Sequence, residues 1–183
     1  MKIFLIGLPG VGKTTFGKSL AKHLNIESID LDLDIEKKTG SRITDIFKQK
    51  GEAYFREIEK SRLKDICKIK ESFVLSVGGG TPSIDGAMEL MKSNGVCIYL
   101  TDTISNITQR IAQSDSIRPL FQNLQPTEIE SKLLELQNIR QRYYEQTHII
   151  TGVEVSSDLH LLTNRVELFT KQGKSLIDIA EIN

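Results

Sequence analysis

The chain has 183 residues, with 24 basic and 24 acidic residues and therefore no formal net charge. This balance argues against a nucleic-acid-binding protein that relies on a basic surface. No apolar run approaches the roughly 20 residues that a membrane-spanning helix needs. The length is enough for one domain with a single hydrophobic core. We therefore expect a globular protein that binds neither nucleic acid nor a membrane.

The two cysteines, Cys67 and Cys97, lie in apolar segments and lack the spacing of metal ligands. Buried, reduced thiols in a cytoplasmic protein are the simplest interpretation. The apolar run at residues 3–6 is too short for a signal peptide, and the glycines after it bring no cleavage site. We interpret this run as a buried strand.

Strand-like and helix-like segments alternate along the chain. The predicted strands cover residues 3–6, 28–31, 73–77, 96–100 and 148–151. The predicted helices cover residues 13–24, 43–50, 52–69, 84–92, 104–112, 126–145 and 159–170. A further short helix is predicted near Ile35 and ends at Gly40. Residues 113–124 are polar and have no clear period. This alternation predicts an α/β fold in which helices cover both faces of a parallel sheet.

Residues 7–14 follow the first predicted strand and match the phosphate-binding pattern G-x-x-x-x-G-K-[ST]. The glycines let backbone N–H groups converge on an anion, and the helix N-terminus adds a partial positive charge. Lys13 is placed to reach the β- and γ-phosphates of a nucleotide, and the Thr14 hydroxyl is placed to ligate Mg²⁺. The alternative is a glycine-rich turn that binds no ligand.

The phosphate loop indicates a nucleotide but does not indicate which reaction. A GTPase would also carry an Asn-Lys-x-Asp signature, which the sequence lacks. A motor ATPase is normally larger and has a hydrophobic strand that ends in Asp, whereas the third predicted strand ends in Ser76-Val77 before three glycines. The short chain therefore favours a small-molecule kinase.

Three acidic residues, Asp30, Asp32 and Asp34, alternate at the end of the second predicted strand. If the segment is extended, Asp30 and Asp32 point to the same side. Ligands of parallel sheets bind beyond the carboxyl ends of the strands, so two carboxylates here would serve Mg²⁺ and a substrate hydroxyl. The alternative is a solvated acidic turn that caps a helix.

Arg140 falls on the inward-facing stripe of its predicted helix. The other members of this stripe, spaced by three or four positions, are Ile129, Leu133, Leu136 and Tyr143. A buried guanidinium needs an anionic partner, because leaving it unpaired costs several kcal/mol. The partner is either a carboxylate of the protein or a carboxylate of the substrate.

Two further arginines have a structural interpretation as an alternative to a functional one. Arg56 lies early in its helix, where a surface ion pair with Glu52 or Glu59 is the alternative to a binding role. Arg118 lies in the polar stretch, where it is either a mobile lid residue above the transferred phosphate or an ordinary exposed loop residue.

Several motifs occur together in the order found in shikimate kinases. They are the phosphate loop, Asp30-Leu31-Asp32-Leu33-Asp34-Ile35-Glu36, Gly40, Ile43, Ile46-Phe47, Gly51-Glu52-Ala53-Tyr54-Phe55-Arg56-Glu57-Ile58-Glu59, Gly78-Gly79-Gly80, Arg118-Pro119-Leu120, and Arg140 followed by Tyr144. The match covers about residues 2–151, and the combination is more specific than the phosphate loop alone. The chain resembles the shikimate kinase family.

The resemblance implies a three-layer P-loop nucleoside triphosphatase fold, similar to the nucleoside monophosphate kinases, with a mostly five-stranded parallel sheet and a lid. It implies one kinase domain over residues 1–183. The lid would cover about residues 113–124 and the substrate-binding helical region about residues 32–62, while residues 171–183 have no assigned role. We expect a cytoplasmic monomer.

The resemblance also implies the reaction, in which ATP with Mg²⁺ phosphorylates the 3-hydroxyl of shikimate on the pathway to chorismate and the aromatic amino acids. Asp32 would accept the hydroxyl proton, and Lys13 and Arg118 would act on the transferred phosphate. Arg56 and Arg140 would bind the shikimate carboxylate. The remaining substrate contacts are expected at Gly78, Gly79 and Gly80, and the metal contacts at Thr14 and Asp30.

The expected ATP contacts are Gly10, Val11, Gly12, Lys13, Thr14, Thr15, Arg110, Arg118 and Ser157. Among them, Arg110 resembles the arginine that stacks on adenine in the family. Two alternatives remain open. One is another small-substrate kinase, such as a gluconate kinase, which lacks the pattern at residues 51–59, or a nucleotide kinase. The other is a nucleotide-binding regulatory module without chemistry, against which intact Lys13 and Asp32 argue.

Overall fold

The computed structural model describes residues 1–114, 119–153 and 159–172. Its strands are β1 (Lys2–Ile6), β2 (Glu27–Asp30), β3 (Phe73–Ser76), β4 (Val96–Thr101) and β5 (Ile149–Gly152). Within these residues the five strands form one parallel sheet in the order β2-β3-β1-β4-β5. The predicted five-stranded parallel sheet is confirmed.

The centre of the sheet is covered on both faces. Four consecutive residues of β1 and all four residues of β3 are buried. Neighbouring residues of a strand point to opposite faces, so such burial requires packing on both sides. Leu5 on β1 lies beside Ser76 on β3 and Ile98 on β4. The carboxyl end of β1 therefore opens between the ends of its two neighbours, where ligands of such sheets bind.

Helices connect the strands and share one hydrophobic core with them. They are α1 (Lys13–Leu24), α2 (Leu31–Thr39), α3 (Ile43–Cys67), α4 (Ala87–Asn94), α5 (Ile104–Ala112), α6 (Pro126–Tyr144) and α7 (Leu159–Gln172). In the described ranges, every helix is too short or too polar to cross a membrane.

Two segments differ from the sequence prediction. The extended path considered for Asp30 to Asp32 is wrong, and the strand predicted at residues 28–31 ends one residue early, because β2 ends at Asp30 and α2 begins at the next residue. The helix predicted to begin at residue 84 begins three residues later, because α4 starts at Ala87, and a separate 3-10 turn at Thr81–Ser83 precedes it. Gly86, with a φ of 74°, separates the two, because this left-handed conformation cannot continue a right-handed helix.

The two helices predicted at residues 43–50 and 52–69 form one element, α3, with a kink at Gly51. There φ is 81° and ψ is 173°, a conformation that only glycine adopts without strain. The kink divides α3 into a first segment at residues 43–50 and a second segment at residues 52–67. Arg118 and Ser157 lie outside the described residues, as do the centre of the predicted lid and most of the tail.

Candidate active site

The phosphate loop joins β1 to α1. Gly12 precedes α1 with a φ of 105°, and no side chain caps the first turn of this helix. Its first N–H groups are therefore directed at whatever anion lies in the loop. The Lys13 ammonium donates hydrogen bonds of 3.0 Å to the carbonyl oxygens of both Gly7 and Leu8, so it lies across the loop. This arrangement suits the terminal phosphates of a nucleotide.

A threonine–aspartate pair lies beside the loop. The Thr14 hydroxyl donates a hydrogen bond of 2.6 Å to Oδ2 of Asp30. The other carboxylate oxygen, Oδ1, accepts from the backbone N–H groups of Asp32 and Leu33 at 3.0 and 3.3 Å. Asp30 therefore caps α2, as the alternative interpretation held, and also touches Thr14. The capping bonds explain why α2 begins where the sequence suggested extended backbone.

The oxygen ligands of this pair fit Mg²⁺. Mg²⁺ usually keeps several water ligands and takes one or two protein oxygens together with substrate phosphates. Among the described residues there is no cluster of three metal-binding side chains. A site that combines the Thr14 and Asp30 oxygens with nucleotide phosphates fits this preference, whereas a metal held by protein ligands alone does not.

Asp32 lies in the first turn of α2, and its carboxyl group has an altered acidity. Burial raises its pKa to about 6, with further contributions from the negative charges of Glu59 and Asp30. The positive charges of Lys13 and Arg56 act in the opposite direction. A carboxylate with a pKa near neutrality is suited to accept a proton from a substrate hydroxyl.

The glycine run at residues 78–80 brings the predicted substrate residues together. A β-carbon on Gly78 would lie 3.2 Å from Oδ1 of Asp32, and one on Gly80 would lie 2.6 Å from Nη2 of Arg56. A β-carbon on Gly79 would lie 3.2 Å from Nη1 of Arg140 and 2.9 Å from Cδ of Pro9 in the phosphate loop. The absence of side chains on the run thus lets an acid and two guanidinium groups meet next to the phosphate loop.

Arg56 is fixed by two carboxylates. It donates from Nη1 to Oε2 of Glu59 at 2.6 Å and from Nη2 to Oε1 of Glu52 at 2.8 Å. Both ion pairs of the alternative interpretation therefore exist. The pair with Glu59 is not a surface pair, however, because that carboxylate has no exposed surface and also accepts a short hydrogen bond from Thr81. The guanidinium is oriented rather than solvated.

Arg140 is buried, as its helical position predicts, with 9% of its surface exposed. The stripe also includes Tyr144, which is fully buried, while the predicted member Tyr143 is half-buried and packs against the core. The Tyr144 hydroxyl donates to the carbonyl oxygen of Gly79 at 2.6 Å and ties α6 to the glycine run.

The guanidinium of Arg140 has no counter-ion among the residues that the structure describes. In the described part of the chain, no ion pair includes Arg140. Nη1 is buried and has no hydrogen-bond partner there. A buried cation in this condition is costly unless an anion binds to it. The predicted alternative of an internal carboxylate is therefore not observed among these residues, and the finding favours an external anion.

A groove of about 470 Å³ adjoins the outer side of the phosphate loop. It is lined by Val11, Gly12, Thr15, Phe16, Ser19, Arg110, Val153 and Leu159. The Arg110 guanidinium is ion-paired with Asp102 and donates to the carbonyl oxygen of Val11 at 3.4 Å. The groove has an apolar floor and one cation at its edge, which suits a nucleoside next to the phosphates.

Several residues that support the site were not predicted from the sequence. Glu59 belongs to the motif at residues 51–59, but its only predicted contact is a surface ion pair, although Phe55, Glu59 and Leu63 are spaced by four and all three are buried. This spacing was the available signal. Ser76, which donates to the carbonyl oxygen of Lys13 at 3.0 Å, and Asp102, which holds Arg110, gave no comparable signal.

Comparisons with known proteins identify the family of this chain. A family model described as Shikimate kinase matches residues 9–167. The shikimate kinase of Azobacteroides pseudotrichonymphae genomovar. CFP2 is 42% identical over 149 residues, which are 81% of this chain and 88% of that protein.

Two solved structures are also similar. The crystal structure of shikimate kinase from Bacteroides thetaiotaomicron has a TM-score of 0.86 at 30% identity and covers 91% of this chain and 98% of its own. Shikimate kinase from Acinetobacter baumannii in complex with shikimate has a TM-score of 0.81 at 36% identity and covers 93% and 94%. The family resemblance and the fold are thereby confirmed, and the chain belongs to the shikimate kinase family.

Proposed function

We propose that this chain is a shikimate kinase, which transfers the γ-phosphoryl group of ATP to the 3-hydroxyl of shikimate and yields 3-phosphoshikimate and ADP. The observation that carries the proposal is the meeting of Asp32, Arg56 and Arg140 at the glycine run beside the phosphate loop. A proton acceptor and two carboxylate-binding groups there match a substrate that carries a hydroxyl and a carboxylate.

Binding would hold the substrate at two points. Arg56 and Arg140 take its carboxylate, because planar guanidinium groups donate paired hydrogen bonds to a carboxylate. Arg140 gains the anionic partner that it lacks among the described residues. The glycine run lies against both guanidinium groups, and it supplies backbone contacts where a side chain would exclude the substrate.

Transfer would then depend on position and charge. Asp32 accepts the proton of the 3-hydroxyl, the hydroxyl oxygen forms the new bond to the γ-phosphorus, and ADP leaves with the electrons of the broken bond. Lys13 stabilises the negative charge on the β- and γ-phosphates. Thr14 and Asp30 would hold Mg²⁺, which neutralises phosphate charge when bound. Arg118, outside the described residues, would close over the phosphates.

The remaining assignments are also proposals. The nucleoside of ATP would occupy the groove beside Arg110, with Ser157 as a further contact outside the described residues. One kinase domain would span residues 1–183, with a lid at about 113–124 and substrate-binding helices at about 32–62. The buried, free thiols of Cys67 and Cys97 suit a cytoplasmic location, and we expect a monomer.

An acceptor comparison tests the function. ADP release is measured with ATP, Mg²⁺ and either no acceptor, shikimate, gluconate or a nucleoside monophosphate, and the phosphorylated product is identified by mass. We expect ADP release only with shikimate. Release with gluconate or the nucleotide would instead support another small-molecule kinase, and no acceptor-dependent release would support a regulatory module.

A further inference from the structure

An ion pair joins α2 and α3, the helices that carry Asp32 and Arg56. Nε of Arg62 donates a hydrogen bond of 2.7 Å to Oδ2 of Asp34. The side chains are only 14% and 25% exposed. Salt screens a partly buried pair with this geometry much less than it screens pairs of fully exposed side chains.

The pair spans a part of the chain in which the helical backbone is interrupted twice. Asp34 lies in α2, two residues after Asp32, and Arg62 lies in the second segment of α3. Between them the chain passes through the left-handed end of α2 at Gly40 and through the kink at Gly51. α2 packs against α3, but no continuous helix joins it to the second segment of α3. The ion pair connects the two directly.

Each side chain of the pair lies next to a proposed functional group. Asp32 is in the same turn of α2 as Asp34, so a shift of that turn moves both. Glu59 precedes Arg62 by three residues and lies on the same side of the helix, and it holds the Arg56 guanidinium. The ion pair thus links the part of α2 that carries the proton acceptor to the part of α3 that carries the carboxylate-binding arginine.

We propose that Asp34 and Arg62 are positioning residues, which set the separation between Asp32 and Arg56 and hence between the hydroxyl and the carboxylate of the bound acceptor. The inference rests on the proposed function, because it assigns the two ends of the substrate to these groups. The phosphate loop and α1 are not joined by this pair. Its loss should therefore affect the acceptor and spare ATP.

The test compares Asp34→Asn and Arg62→Gln with wild type in full kinetics for both substrates. Misplacing a reacting group by about 1 Å can cost about 100-fold in rate, so we expect each variant to lose at least about tenfold in kcat/KM for shikimate. The KM for ATP should stay within about twofold. The double variant should be no worse than the poorer single variant, because both remove the same interaction. Arg62→Lys should recover part of the loss.

Asp65 offers a matched control. It accepts from Nη1 of the same Arg62 at 3.2 Å but lies on α3 itself and is 49% exposed. Asp65→Asn removes an ion pair from the same guanidinium but leaves the pair between Arg62 and α2 intact. This variant should keep wild-type kinetics.

The outcomes distinguish a failure of the proposed function from a failure of the positioning role. A wild-type enzyme that transfers no phosphate to shikimate contradicts the proposed function. An active wild type, with both single variants within about twofold in kcat/KM for shikimate, overturns the positioning role. Equal losses for ATP and shikimate would show that the pair only stabilises the fold, and this too overturns it. If Arg62→Gln does not fold, the nearly isosteric Asp34→Asn decides alone.

Discussion

Nη1 of Arg56 donates a hydrogen bond of 2.6 Å to Oε2 of Glu59, a carboxylate with no exposed surface. The exposed partner of the same guanidinium, Glu52, retains 65% of its side-chain surface. Loss of a buried charge partner disturbs an arginine far more than loss of an exposed one. Glu59 therefore sets the orientation in which Arg56 meets a substrate carboxylate.

Glu59→Gln should raise the KM for shikimate by about tenfold, a cost of about 1.4 kcal/mol, and leave the KM for ATP nearly unchanged. The amide keeps the size of the side chain but cannot hold the guanidinium as an ion pair. Glu52→Gln, which removes the exposed partner, is the control and should change either constant by less than about twofold. Similar effects of the two substitutions would refute the special role of the buried carboxylate.

Lys13→Ala should lower kcat by at least about 100-fold, because the β- and γ-phosphates lose their main cation and every 1.36 kcal/mol lost is about tenfold in rate. Lys18→Ala removes an exposed lysine from the same helix and should have no effect. Steady-state kinetics on both variants, with thermal unfolding to establish that each is folded, makes the comparison. A Lys13→Ala enzyme within about threefold of wild type would refute the assignment of the phosphate loop.

Asp32→Asn should reduce kcat by at least about 100-fold while ADP binding, measured by calorimetry, is retained. The amide has nearly the same shape as the carboxyl group but cannot accept the hydroxyl proton. Asp65→Asn, near the end of α3, changes a half-exposed acid outside the proposed substrate-binding region and is the control. If kcat survives in Asp32→Asn and only the melting temperature changes, Asp32 is structural.

His148 should make the protein less stable in acid. Its Nδ1 accepts a hydrogen bond of 3.0 Å from the backbone N–H of Cys97. Burial, and to a lesser degree the positive charge of Lys92, lowers its pKa below the ordinary 6.5. The unfolded chain therefore takes up a proton at a higher pH than the folded chain. The resulting stability is complete above pH 6.5 and declines as the pH falls below that value.

Urea unfolding of wild type and His148→Asn between pH 5 and 8 measures this contribution. The asparagine oxygen can still accept the backbone hydrogen bond but does not titrate, so its stability should fall less steeply between about pH 6.5 and pH 5. Parallel curves for wild type and His148→Asn would contradict the prediction.

The sequence predicted the parallel sheet, the place of the phosphate loop and the burial of Arg140, because each depends on a local pattern. The pattern is an apolar run, a glycine spacing or a helical period. The sequence did not predict that α2 starts directly after Asp30, because the capping hydrogen bonds of the Asp30 carboxylate determine where this helix begins. The ion pairs of Arg62 with Asp34 and of Arg110 with Asp102 join residues 28 and 8 positions apart, and only the fold shows them.

The most direct test of the account concerns the substrate carboxylate. Values of kcat/KM are measured for shikimate and for its uncharged carboxamide with wild type, Arg56→Lys and Arg140→Lys. Lysine cannot reproduce the paired hydrogen bonds of a guanidinium, so each variant should lose at least about tenfold with shikimate, roughly 1.4 kcal/mol. The carboxamide should be a poor wild-type substrate and lose much less in either variant. Equal losses for acid and amide would contradict the account, because they would show that the arginines support the fold and not the substrate.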